Sequence, residues 1–388
     1  MKRTVFLWST AAVLTACTPV KTFRITVENP SDFDRLTEMV ELPLSVLSAK
    51  IAPGEGQTYV LRNARQETVP AQVTFDGKLI FQAGVKAKGT AVYTVSAGVP
   101  QAFAPKTYGR FVPERKDDFA WENDRVAFRI YGAALVEVDG PSNGLDLWYK
   151  RTDRLIIDKW YRDDLAGVRS YHEDHGEGLD DYKVGRTLGG GMMAPYAGNR
   201  LWLNENFIGQ ELLENGPLRT TFRLTYKPVE VDGKMFDESR IFSLDAGSQL
   251  TKVTQIYGTK DAMPVAAGIV KRNGHDAIFQ DLTGTVASLV YAEPESETAG
   301  KLYVGMVFPS GLEKTLVDTC TLTHAVTGRE ETCSHLLGVT TCRPGSPVTY
   351  YTGFGWSKSG FPTVDDFRKY IAHFAASLQE PLVIKTER

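Results

Sequence analysis

Apolar and polar residues alternate with a period of two along most of this chain. Phe23-Arg24-Ile25-Thr26-Val27, Thr58 to Leu61, Ala71 to Phe75 and Ala91 to Val95 all show it, with turn pairs such as Pro53-Gly54 and Asp76-Gly77 between them. Residues 22–98 therefore read as a small antiparallel β-sandwich. Gly98 to Pro105 reads as a linker. Beyond it the alternation runs on in longer segments, among them Val126 to Tyr131, Thr220 to Tyr226, Leu302 to Phe308 and Val348 to Tyr351, so residues 106–388 are expected to form a large β-sandwich. Helical spacing is clear at Thr363 to Leu378, where Phe367, Tyr370, Ile371 and Phe374 share a face and Thr363 with Asp366 fits a capping box. No fixed-period repeat is present, which argues against a propeller or solenoid. The expected class is all-β, a small N-terminal sandwich plus a large antiparallel one, with a C-terminal helix.

The first residues change the picture of where the chain works. Lys2 and Arg3 precede a mostly apolar stretch, Val5 to Leu14, and Leu14-Thr15-Ala16-Cys17 sets small residues before a cysteine. Residues 1–17 are thus expected to be a lipoprotein signal, with Cys17 acylated and the exported body in solvent, touching a bacterial membrane only through lipid. The apolar stretch, about ten residues, falls well short of the roughly 20 that span a bilayer. A net charge of −3 with no basic block excludes nucleic acid as a natural partner. After Cys17 only Cys320, Cys333 and Cys342 remain. In an oxidising compartment two of them can pair and leave one thiol, and zinc binding by the trio is disfavoured because no C-x-x-C spacing occurs.

Candidate chemistry concentrates in Ser170 to Tyr182, which packs two histidines, five carboxylates and two tyrosines among glycines that forbid a regular helix. Loops on a rigid β-scaffold carry function, and imidazole is suited to proton transfer near neutral pH. Tyr171, His172 and His175 are the candidate proton-transfer groups. A competing reading gives His172, His175 and Glu177 to a divalent metal, although H-x-x-H in a glycine-broken loop fixes no ligand geometry. No other cofactor is expected. Trp148-Tyr149-Lys150-Arg151 and Lys159-Trp160-Tyr161-Arg162 interleave aromatics with cations, as recognition of a carboxylated sugar requires, though an amphipathic strand looks the same. Trp121, Asn123, Tyr149, Lys150, Arg151, Glu177, Trp356 and Lys358 form the candidate substrate-binding set, and Arg219, at a strand start, is the candidate carboxylate partner in catalysis. Gly189-Gly190-Gly191 is not a phosphate loop, because no Lys-Ser or Lys-Thr follows it.

The runs Asp118 to Gly132, Gly144 to Arg151, Tyr171 to Asp180, Tyr182 to Gly185, Asn215 to Arg219 and Gly355 to Lys358 resemble the domain of unknown function 4861 family, over nearly the whole mature chain. That family is associated with bacterial polysaccharide-utilisation systems, including those for uronate-rich polymers such as ulvan. The resemblance implies a galactose-mutarotase-like supersandwich and an oligosaccharide dehydratase that removes water across C4 and C5 of a non-reducing-end uronic acid. Its substrate is an acidic oligosaccharide. Such a site must neutralise the carboxylate, take the C5 proton and protonate the departing hydroxyl. A glycoside hydrolase or polysaccharide lyase on uronate-containing glycans, and a non-catalytic surface glycan-binding lipoprotein, are the alternatives.

Overall fold

The computed structural model describes residues 21–386 apart from 324 and 325; Cys17 and the signal segment lie outside the described residues. Every strand pairing between named strands is antiparallel, as period-two alternation demands of sheets that face a core on one side. Residues 22–98 contribute two facing sheets. One runs in the order Val383–Thr386, Thr22–Glu28, Thr90–Gly98, Thr58–Asn63, Thr68–Val69, and the other Arg35–Pro43, Lys78–Val85, Ala71–Val73. Phe23, Ile25, Val27, Leu42, Leu61, Phe81 and Val95 fill the space between them. The sandwich thus takes one strand from the far end of the chain, paired Ile25 to Thr386 through Glu28 to Val383.

In the large body an eight-stranded sheet runs from Gly209–Asn215 at one edge to Ala277–Asp281 at the other. Two five-stranded sheets complete the body, one containing Asp118–Asn123, Ala127–Ile130 and Asp146–Lys150, the other Gly190–Ala197, Met263–Lys271 and Glu330–Cys342. Trp121, Phe128, Leu147, Met193, Phe222, Phe242, Ile269, Val304 and Leu337, drawn from all three sheets, belong to one continuous buried core. The helix Val364–Gln379 carries the expected capping box, with the Thr363 side chain accepting from the Asp366 amide. It buries Phe367 and Ile371 against Val290, Tyr303 and Val307 of the eight-stranded sheet. Among the described residues no helix is long and apolar enough to cross a membrane.

Cys320 and Cys333 face each other across the hairpin Lys314–Thr323 and Glu330–Cys342 and form a disulfide, which leaves Cys342 as a buried thiol.

Candidate functional site

The five-stranded sheet beginning at Thr107–Val112 has two unlike faces, and strand alternation decides which residue looks where. Phe119, Trp121, Phe128, Leu147 and Tyr149 point into the main core. Their neighbours Asp118, Glu122, Arg129, Asp146 and Lys150 therefore point out of the other face, yet all are buried. What covers them is the helix Ile157–Leu165, packed through Ile157, Trp160 and Tyr161, and the loop that follows it, packed through Tyr171. The helix has no capping side chain of its own at Ile156. Glu122 supplies one from the sheet: Oε1 accepts from the amides of Ile156 and Ile157 at 2.7 and 2.8 Å, while Oε2 takes the Lys150 ammonium at 2.6 Å.

The loop returns to the sheet at Gly178–Leu179, pairing Lys150 with Gly178 and Tyr149 with Leu179. Gly178 has φ +119, and a Cβ there would collide with the Tyr149 carbonyl oxygen, so only glycine permits this approach. The pairing delivers Asp180 to Arg129. The Arg129 guanidinium donates to Asp146 Oδ2 from Nε at 2.8 Å, to Asp180 Oδ2 from Nη2 at 2.8 Å and to Tyr131 Oη at 3.2 Å, with Asp118 Oδ2 3.9 Å away. Arg115 stands 3.8 Å from Asp118, so two guanidiniums meet three buried carboxylates. Charge is short by one cation, and burial is costly for the excess anion. Burial pushes the Asp118 carboxyl up to about 6 against the pull of Arg129 and Arg115. Burial, with the like charge of Asp146 behind it, raises Asp180 well above the ordinary carboxylate range. Both shifts express the same excess of buried negative charge.

Tyr171 and His172 sit over it. The Tyr171 ring stacks on Trp148 at 5.1 Å, and its oxygen accepts from Arg129 Nη1 at 3.3 Å and Arg115 Nε at 3.4 Å. It is 5% exposed and acts as a floor that positions its neighbour. His172 lies against that ring at 4.6 Å with its side chain 53% exposed. Nδ1 is 2.9 Å from the Asp180 carbonyl oxygen, which can only accept, so Nδ1 carries the proton and Nε2 keeps a lone pair. Asp180 Oδ2 is 3.6 Å from the same Nδ1, placed to balance a charge on the ring.

The remaining loop residues hold the loop itself. Arg151 pairs with Asp174 at 2.9 Å, and Glu177 with Lys159 on the covering helix at 2.5 Å. His175 Nε2 meets the Ser170 carbonyl at 3.1 Å. His172, His175 and Glu177 are each engaged with a different partner and do not converge as metal ligands. Among the described residues the one such grouping is Cys320, Cys333 and His335, and there both cysteines are in the disulfide.

Several residues expected to touch substrate are placed elsewhere, each for a physical reason. Trp121 is fully buried, donating from Nε1 to Thr251 Oγ1 at 3.2 Å, and Trp356 is 1% exposed, donating to the Ala299 carbonyl at 2.6 Å. Tyr149 packs on Phe354 and Trp356 inside the core. Asn123 closes a turn by accepting from the amides of Arg125 and Val126 and donating to the carbonyls of Asp245 and Ser248. Lys150 neutralises Glu122. None of these five presents a surface to a sugar, which corrects the reading of them as a binding platform. Lys358 is exposed but is tied to the Thr298 carbonyl.

Arg219 is also placed apart from the histidines. It lies on the eight-stranded sheet and bridges the two sandwiches, 2.7 Å from Glu41 of the small one and 2.9 Å from Asp245 of the large one. It lines a cavity of about 540 Å³ between the small sandwich, the sheet and the closing helix, where its charge is already answered by two carboxylates, as is that of Lys78 by Glu41 and Asp76. Arg219→Ala is therefore expected to lower stability by about 1–3 kcal/mol, because part-buried Asp245 loses its guanidinium while Glu41 keeps Lys78, with unchanged activity per folded molecule. Urea unfolding beside an assay corrected for folded fraction checks this.

Residues 27–384 match the family described as Domain of unknown function (DUF4861). The chain belongs to that family. An uncharacterized protein of Formosa agariphila is 29% identical over 382 residues, covering 94% of this chain and 93% of that protein. Among solved structures, a protein in the glycosyl hydrolase family 38 from Enterococcus faecalis superposes with a TM-score of 0.50 at 11% identity, covering 95% of this chain. An alpha-mannosidase from Enterococcus faecalis gives a TM-score of 0.42 at 10% identity, covering 96% of this chain and 46% of its own. The chain spans about half the length of the glycosyl hydrolase family 38 protein, 48%, and the likeness is one of fold.

Proposed function

We propose that this DUF4861 protein is a carbohydrate-active hydro-lyase that removes water across C4 and C5 of a uronic acid at the non-reducing end of an oligosaccharide. The observation that carries the reading is the exposed His172 imidazole, its tautomer fixed by the Asp180 carbonyl, its Nδ1 side turned to a buried carboxylate network and its Nε2 left free as a base. Nε2 takes the C5 proton as general base. The imidazolium so formed faces Asp180 and returns the proton to the departing C4 hydroxyl. C5–H and C4–O break, a C4–C5 double bond forms, and water leaves with the enzyme restored. Arg115, part-exposed and donating from Nε to the Tyr171 oxygen, supplies a guanidinium whose buried Nη1 faces Asp118 at 3.8 Å. The exposed part of that guanidinium can meet a substrate carboxylate, and neutralising it favours the enolate-like intermediate. Resemblance to a family associated with uronate-rich polymers supports the substrate class.

The test is a uronate-ended tetrasaccharide incubated with the protein. The expected product has lost one water, keeps its full chain length and absorbs in the low ultraviolet as a conjugated enol ether. A shortened product with the chromophore marks a polysaccharide lyase, and a shortened product without it marks a hydrolase; either sinks the proposal. Unchanged mass with retained binding marks a glycan-binding protein.

A further inference from the structure

A second cleft, of about 450 Å³, opens where the chain runs on from Asp180. Its walls are the loop from Lys183 to Thr187, the segment Asp139 to Ser142, residues Val270 to Asn273 and the disulfide-bearing hairpin. Four cations line it, Lys183, Arg186, Lys271 and Arg272, against two carboxylates, Asp139 and Glu331. Lys271 and Arg272 are spoken for, by Asp276 at 2.6 Å and Glu293 at 3.3 Å. Arg186 differs. It is half-buried, and its guanidinium rests on two backbone carbonyls, Pro141 at 3.5 Å and Leu203 at 3.2 Å, with no carboxylate in ion-pair reach among the described residues. Desolvation, only partly offset by the charge of Glu205, disfavours the cation, a cost that an incoming anion reduces.

The loop that presents Arg186 is built rather than loose. Ser142 Oγ donates to the Gly185 carbonyl at 2.8 Å, and Thr187 Oγ1 donates to the Val184 carbonyl at 2.6 Å. Lys183, exposed and likewise without a carboxylate partner among the described residues, stands close enough to Asp180 for its charge to act on that carboxyl. One wall of the cleft thus starts three residues along the chain from Asp180.

We infer that this cleft is an anion-binding subsite, taking an acidic group, carboxylate or sulfate ester, on an inner residue of the oligosaccharide whose terminal uronate meets His172. This deepens the dehydratase reading and rests on it for the sugar, though not for the anion. Ligands longer than one residue gain affinity from Arg186 and Lys183, so the site selects fragments that remain acidic along their length.

Two titrations test it on the full chain and on Arg186→Met, Lys183→Met and the double variant; Lys183 is exposed, so its variant holds the test if Arg186→Met folds poorly. Calorimetry with a tetra-uronate is expected to show about ten- to hundredfold weaker binding in the double variant, as loss of the buried Arg186 contact and the exposed Lys183 contact together gives, and no change for the monosaccharide. Inorganic sulfate, exchanged for chloride at constant ionic strength, is expected to raise the melting midpoint of the parent chain but not of the double variant. Equal tetra-uronate affinity in all variants, or an equal loss for the monosaccharide, overturns the subsite. Sulfate stabilisation that needs Arg186 and Lys183 while no uronate binds leaves the anion site standing and removes the sugar reading, and absence of both effects overturns the inference itself.

Discussion

His172→Ala is expected to reduce turnover of a uronate-ended oligosaccharide by about 10²–10⁴ while leaving the fold intact, the range a positioned general base contributes. The side chain is 53% exposed and packs on one face only, so little buried area goes with it. His172→Gln sharpens the comparison. Its amide can still donate to the Asp180 carbonyl but cannot accept a C5 proton, so it should be as inactive as the alanine variant. Stopped-time product analysis with a melting curve on each variant reads both effects. Full activity per folded molecule in either variant would place the base elsewhere.

Arg129→Met should be the most damaging single change to stability, about 3–5 kcal/mol at neutral pH, because it strands Asp118, Asp146 and Asp180 in a buried space without their shared cation. The loss has a sign with pH. Asp118 and Asp180 already bind protons more tightly folded than unfolded, so each contributes stability that is complete below its ordinary value of 3.8 and fades as pH rises, through about 6 for Asp118 and higher for Asp180. Arg129 is the cation that restrains both shifts, and its removal drives both carboxyls further up. The deficit of the variant should therefore be small near pH 4 and grow toward pH 8. Urea unfolding at those two values decides it, and a deficit independent of pH would mean that the carboxylates are not what Arg129 holds.

The covering of that network is also where sequence reading stopped. Alternation in Asp118 to Asn123 places Trp121 on the face with Phe119, and Phe128 shows which face is core; the same rule sets Tyr149 beside Leu147. Reading those aromatics as sugar platforms gave weight to residue type over phase. The cover over the outward charges is not legible because the helix that forms it has no local start signal: its cap is Glu122, 34 positions earlier. The closing helix was legible for the opposite reason, since Thr363 and Asp366 cap it from within. The partners of Arg219 lie 26 positions away at Asp245 and in another sandwich at Glu41, distances that spacing does not encode. The loop itself is visible as a dense polar window broken by glycines, whereas the meeting of Asp180 with Arg129, its chemical centre, is not, because only Gly178 pairing with Lys150 brings the two together.

The strand Val383–Thr386 has a consequence for how the molecule is assembled. It clasps Thr22–Glu28 across nearly the entire chain, with Lys385 reaching Glu28 over a separation of 357 residues. Contacts of that span form late, because the intervening chain must be compact before the ends can meet. Until they do, Thr22–Glu28 is an open sheet edge, with a row of unpaired amides and carbonyls able to recruit a strand from another molecule. The small sandwich is therefore a buckle and not an independent bead. A fragment cut at the linker would keep its core residues and lose the strand that makes its edge safe.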